Sequence, residues 1–386
     1  MHAGPARRPR IFWFLVENSL LLLTGAVVAL AWANLDLASF TAFTHALHFA
    51  VNDIGMVFFF AIAAKEVFEA TLPGGSLSSA RRAALPLLAA VGGMAGPAAL
   101  YLAQVAAQGR PELSNGWAIP CATDIAFSYL VARFIFGVKH AAVPFLLMLA
   151  IADDALGLLI LALFYPSGPL RPLEAIVLVG LGMGAGFLLR RRGVLNFWPY
   201  VLLGGGLSWI GLFRGGVHPA LALVPIIPMM PHARRDLGLY AEREELLPDS
   251  LNRFEHWWKT PVEIILFFFG LVNAGVPLAN AGPGTWIVLV AILLGKPVGI
   301  GLFTLAGRVM SLELPGVLRW QDVIVVGLVA AIGFTVALFF ATAAFPAGDL
   351  LDQTKMGALM SLGAAGVSIL AARILGVGRF ARTPRG

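Results

Sequence analysis

Charge is what this sequence lacks. Only 12% of its 386 residues are Asp, Glu, Lys or Arg, about half the roughly 25% typical of a soluble domain. With 59% hydrophobic residues, a soluble globular protein is excluded. Cysteine is nearly absent as well. Cys121 stands alone in an apolar segment, which rules out an internal disulfide framework and fits a small buried hydrophobe. The basic excess of +6 is scattered between apolar runs and forms no continuous patch, so nucleic acid is not an expected partner. Several membrane-enzyme signatures are missing too. There is no HExxH for a zinc protease and no GxGD for an aspartyl protease. The one adjacent aspartate pair reads DDALG, with Gly157 where a diphosphate-binding DDxxD needs its last carboxylate. No enzyme and no cofactor are expected.

What the chain has is a succession of apolar runs, each long enough to cross a bilayer as a helix. Candidate spans lie near 11–33, 46–69, 84–106, 117–137, 142–166, 173–189, 197–213, 217–231, 259–279, 285–308, 320–345 and 357–376. The first follows MHAGPARRPR and exceeds the roughly 7–15 apolar residues of a secretory signal, so it reads as an uncleaved span. If the spans alternate, one side collects Arg7, Arg8, Arg10, Arg81, Arg82, Lys139, Arg190 to Arg192, Arg234, Arg235, Arg253 and Arg379, among others. The other side keeps only Arg110, Arg171, Arg214 and Lys355. The positive-inside rule then places both termini in the cytoplasm, which requires an even number of spans. The expected architecture is an all-α polytopic membrane protein of about twelve transmembrane helices. Residues 11–376 form a single transporter domain, with 1–10 and 377–386 as short cytoplasmic tails. One long polar connection, 231–260, is a cytoplasmic linker.

Two runs are poor continuous helices. In SNGWAIPCATDIAFSYL, Pro120 removes a backbone donor, and Thr123 and Asp124 follow like the cap of a second half-helix. In VVGLVAAIGFTVALFF, Gly333 and Thr335 interrupt the run more gently. Interrupted helices at matching places in two inverted repeats point to a transporter's midplane site. Spans three to five would pair with spans ten to twelve, the break falling in the middle helix of each. Four ionisable residues lie deep in the runs: Asp124, Asp153, Asp154 and Lys296. Such residues face the bundle interior, pair with one another and mark ion or proton paths. Asp153 and Asp154 diverge by about 100° around a helix, so they cannot point at one place. One can hold an ion while the other meets Lys296. Asp124 and Lys296 can each offset one pole of the broken helices. A site that takes either a cation or a proton, but not both favourably, suffices for coupled exchange. The rival within the same plan is a sodium-coupled solute symporter, which needs a larger polar cavity and no Lys296.

CATDIAF, LAIADDALGLLILALFY, LLGKPVGIGLF, GGVHPAL, LVNAGVPL and AAIGFT, in this order, resemble the NhaA-type sodium/proton antiporters from about residue 11 to 375. The resemblance implies exchange of cytoplasmic Na+ or Li+ for external protons, electrogenic and activated at alkaline pH, in a bacterial plasma membrane. It implies that Asp154 and Asp153 are the cation and proton ligands, Asp154 the more direct. Lys296 would pair with Asp153, and Thr123 and Asp124 would face Gly333, Phe334 and Thr335 at the helix crossing. It further implies a pH-regulatory set of Glu66, Glu69, His218 and Glu255. Here the chain departs from the family, because Val67 and Phe68 follow Glu66 where basic residues are usual, and Lys65 precedes it. Between Trp32 and Asn52 the connection is too short for the β-hairpin that joins protomers. A homodimer would form without it.

Overall fold

The computed structural model describes residues 20–232, 249–312 and 318–381, with the side chains of 80–82 left aside. The start of the first expected span, both outermost tails and most of the 231–260 linker lie outside the described residues. The secondary structure of the described residues is helical throughout. In chain order the helices are α1 (Leu21–Leu35), α2 (Leu37–Thr71), α3 (Ala80–Ala107), α4 (Ile125–Phe136), α5 (Ala142–Phe164), α6 (Pro172–Arg191) and α7 (Gly206–Gly215). They continue as α8 (Ser250–Asn273), α9 (Pro283–Val309), α10 (Trp320–Ala330), α11 (Phe334–Ala344), α12 (Asp349–Met360) and α13 (Ala364–Leu375).

Six stretches among the described residues are long and apolar enough to cross a bilayer, or eight if each of two bent pairs counts as one span. The count of twelve is therefore not reproduced by length and composition alone, and the reasons are local. The segment 217–231 is no continuous helix but a series of turns, with 3-10 windings at Pro219–Leu221 and Ile227–Met229. Pro219, Pro225, Pro228 and Pro231 explain it, since each removes a helix donor and clashes with the preceding turn. Helix α8 starts at Ser250, nine residues before the expected 259, capped by Asp249, which accepts the N–H of Asn252 at 2.8 Å. Its N-terminal part, up to Glu263, carries Arg253, Glu255, Lys259 and Glu263. Residues 37–49, between the two expected first spans, are helix capped by Asp36, so no hairpin strand forms there.

The bent pairs are the two predicted breaks. Pro111–Cys121 meets α4 at 53°, and α10 meets α11 at 50°. The first half of the earlier pair is wound as 3-10 turns, not as an α-helix. Each break sits between two long helices: α3 and α5 flank the first, and α9 and the α12–α13 helix flank the second. The two leading helices of these triplets, α3 and α9, form the most extensive helix pair in the molecule. Their contact is made of glycine. A Cβ on Gly299 would lie 2.0 Å from the carbonyl oxygen of Gly92, and one on Gly96 would lie 2.3 Å from that of Gly295. Both helices thus carry a GxxxG stripe, and the backbones touch as small-residue seams allow in membranes. Immediately before Lys296 the α9 backbone widens into a π-turn at Ala291–Gly295. This accommodates Pro297, whose ring would crowd the carbonyl one turn back.

Gly299→Val is expected to force the α3–α9 seam apart, with overpacking of roughly 1–3 kcal/mol or more. The melting temperature of the purified protein should fall. Gly301→Ala on the same helix, where an added Cβ meets nothing within 4 Å, should leave it unchanged.

Candidate functional site

The two breaks touch through their backbones. The N–H of Asp124 donates to the carbonyl of Ile332 at 2.7 Å, so the unwound segments lie directly against each other. The four half-helix ends left there all find partners. The Asp124 carboxylate caps its own helix α4, accepting the N–H of Phe127 at 3.2 Å. Its other oxygen accepts the N–H of Thr335 at 3.3 Å, in the first turn of α11, and also the Thr335 hydroxyl. One negative charge therefore faces two helix N-termini, each with a partial positive charge of about one half. The N–H of Gly333 donates to the Ser361 hydroxyl at 3.2 Å. At the opposite poles, the last carbonyl of α10, Ala330, lies 3.1 Å from the Thr123 hydroxyl, and Val329 accepts from Ser128. The Lys296 ammonium donates to the carbonyl of Cys121 at 2.5 Å, where the 3-10 half-helix ends.

Lys296 also reaches the carboxylates. Its Nζ lies 3.2 Å from Asp153 Oδ2, with both side chains essentially inaccessible. The same oxygen is 2.7 Å from the Thr123 hydroxyl. Asp153 Oδ1 is buried and has no hydrogen-bond partner among the described residues. Asp154, one residue on, is only partly buried, and the ion pair of Lys296 is with Asp153. Both aspartates line one pocket, whose walls include Phe59, Phe60, Met94, Leu158 and Phe339. Glu66, Asp153 and Asp124 all lie within electrostatic reach of Asp154, as does Lys296. The α3–α9 seam sets this geometry: Gly295 and Gly299 flank Lys296, and Gly93 lies beside Asp153.

Toward the other end of α2 the structure separates the expected regulatory set. Lys65 is buried and stands 2.5 Å from both Glu69 and Glu255, joining α2 to α8. Glu66 is near enough to feel Glu255 and Lys65. His218 is not among them. Its Nδ1 accepts the N–H of Ala220 at 3.3 Å, and its ring packs 4.8 Å from Phe339, a wall of the aspartate pocket. Trp258 stacks on Phe58 at 3.4 Å and is buried. Lys355, expected in a loop, is buried within α12.

A model of the family described as Na+/H+ antiporter 1 matches residues 15–374. The chain belongs to this family. The Na(+)/H(+) antiporter NhaA of Jannaschia sp. (strain CCS1) is 48% identical over 412 residues, covering 95% of this chain and 98% of that protein. The NhaA of Geobacter metallireducens is 47% identical over 372 residues, covering 94% and 97%. Among solved structures, the sodium proton antiporter MjNhaP1 from Methanocaldococcus jannaschii superposes with a TM-score of 0.56 at 16% identity, covering 93% of this chain and 92% of that one. That likeness shows a shared fold. The protein is thus a multi-pass membrane antiporter for Na+ and H+. Sequence reasoning about this antiporter passed over Ser128 and Ser361, which bond to the crossing from outside the breaks. Their only signal was a hydroxyl inside an apolar run.

Proposed function

We propose that Asp153 and Asp154 bind Na+ and H+ in alternation, and that this exchange moves cytoplasmic Na+ outward against entering external protons, electrogenically, with Li+ as a second substrate. The observation that carries this reading is the pairing of a buried, unpartnered Asp153 Oδ1 with an Asp154 carboxylate opening into the same pocket. Asp154 is the direct cation ligand. A cation entering beside it competes with the Lys296 ammonium for the charge of Asp153. Protonation of the carboxylates releases it. Thr123 links this chemistry to the crossing. A hydroxyl has one proton to give, so Thr123 can donate to Asp153 or to Ala330, not to both. When Asp153 carries a proton, it can donate to Thr123, whose own proton then holds the end of α10. Asp124, Gly333 and Thr335 keep the two N-termini fixed around this step. The phenylalanine-rich pocket wall offers a polar solute few hydrogen bonds, which favours exchange over symport.

Glu66, Glu69 and Glu255 with Lys65 form the pH-responsive element on the cytoplasmic side, and His218 acts separately through Phe339. The transporter domain spans 11–376 in a bacterial plasma membrane, with both termini cytoplasmic. It pairs as a homodimer without a hairpin contact. The test is proton flux in proteoliposomes with Na+, Li+, K+ or organic anions, the voltage clamped by potassium and valinomycin. Expected is Na+- and Li+-driven counterflow that responds to voltage. Proton flux moving with Na+ in the same direction would reject antiport.

A further inference from the structure

A second cavity opens at the far ends of two of the half-helices, away from the ion site. It lies between the C-terminal end of α4, the first turn of α10 and the turn that follows α13. Its lining includes Phe136, His140, Arg319, Gln321, Asp322 and Val377. Arg319 is an exposed residue. His140 lies against Phe136, with ring centroids 5.0 Å apart, and its Nδ1 accepts the N–H of Ala142 at 3.2 Å. The proton of the neutral ring therefore sits on Nε2 as a donor. Asp322 also lines the cavity; its Oδ2 accepts the backbone N–H of Arg319 at 2.8 Å and caps its own helix.

The elements that bound the cavity, here called its rim, carry further basic and aromatic residues. The guanidiniums of Arg133, Arg373 and Arg379 lie over the rings of Tyr129, Phe380 and Phe134, the last at 4.1 Å. Cations laid on aromatic rings at span ends belong to the headgroup level of a bilayer. Next to the cavity, Leu130 of α4 and Val367, Leu370 and Ile374 of α13 present an exposed apolar face, and the two helices pack against each other.

We propose that this cavity binds the phosphate of an anionic glycerophospholipid headgroup, with its acyl chains along the α4–α13 face. Arg319 and His140 supply the donors, and the rim supplies the positive field. The adjoining apolar face favours a lipid over a soluble anion. The position gives the site a consequence. Helix α4 begins at the Asp124 cap and α10 ends at Ala330, so each half-helix runs from the crossing to this cavity, about 17 Å at 1.5 Å per residue. A bound headgroup ties together the outer ends of the same two half-helices whose inner ends meet at the crossing.

The experiment measures the melting temperature of the delipidated, purified protein with phosphatidylglycerol, phosphatidylcholine or inorganic phosphate. Arg319→Gln combined with His140→Ala is compared with the unaltered chain, and the lipid-induced shift is read, not the absolute temperature. Phosphatidylglycerol should raise the unaltered chain by several degrees, phosphatidylcholine by less and inorganic phosphate not at all. The double variant should lose the difference between the two lipids. If it does not purify, Arg319→Glu, which reverses the charge at an exposed position, should lose it as well. An undiminished phosphatidylglycerol shift in the variants overturns the site. Equal shifts from both lipids, or a full shift from inorganic phosphate alone, overturns the lipid assignment.

Discussion

Asp154→Asn is expected to abolish Na+-dependent proton movement in everted membrane vesicles. The amide keeps the size of the carboxylate but can neither release a proton nor carry charge, so both substrates lose the same ligand. Asp153 alone cannot replace it, because Oδ2 is held by Lys296 and Thr123 and only Oδ1 is left open to an ion. Folding should survive the change. Asp154 opens into the pocket, and Glu66, Asp153 and Asp124 surround it with negative charge. Removing one of several like charges relieves repulsion, so the melting temperature should hold or rise. Loss of exchange with retained stability is the combined result that assigns the role. Full exchange in this variant would falsify it.

Lys296→Ala is expected to lower stability sharply and displace the pH profile of exchange. The ammonium is fully buried and serves two groups, Asp153 and the Cys121 carbonyl that ends a half-helix. Taking one partner from a buried ion pair costs roughly 3–5 kcal/mol, because the other charge is left uncompensated. Protonation of Asp153 would recover part of that, and this is why the pH profile must move. Lys296→Gln separates the two duties. It can still donate to Cys121 but brings no charge, so it should restore part of the stability and none of the profile. An unchanged melting temperature and profile in Lys296→Ala would show that the pair is incidental.

Much of the site was legible because buried charge is costly in a membrane and therefore rare. Asp124, Asp153, Asp154 and Lys296 stood out against apolar neighbours, and the structure gathers all four around the crossing. Pro120 and Gly333 marked the breaks through backbone chemistry that operates within one turn. Legibility failed where local pattern and packing diverged. The apolar run 217–231 looked like a span, yet its four prolines wind it into turns. Lys65 stands one helical turn before Glu69, so that pairing is local. Its second partner, Glu255, comes from α8, 190 residues away, and no local periodicity announces that.

The sequence by itself determined the membrane class, the breaks and the identity of the charges, since each follows from composition or from chemistry within a few residues, and its motifs carried the resemblance to the family. It also required that Asp153 and Asp154 diverge. Tertiary structure alone decided which oxygen meets which partner: Asp153 on Lys296 and Thr123, Asp124 on two helix N-termini, His218 apart from the glutamates. Those choices depend on how closely the helices approach. That approach is set by glycine seams, where a Cβ added to Gly92, Gly96 or Gly299 would stand 2.0–2.4 Å from a carbonyl oxygen of the facing helix. A shift of one ångström there would move every ligand at the crossing.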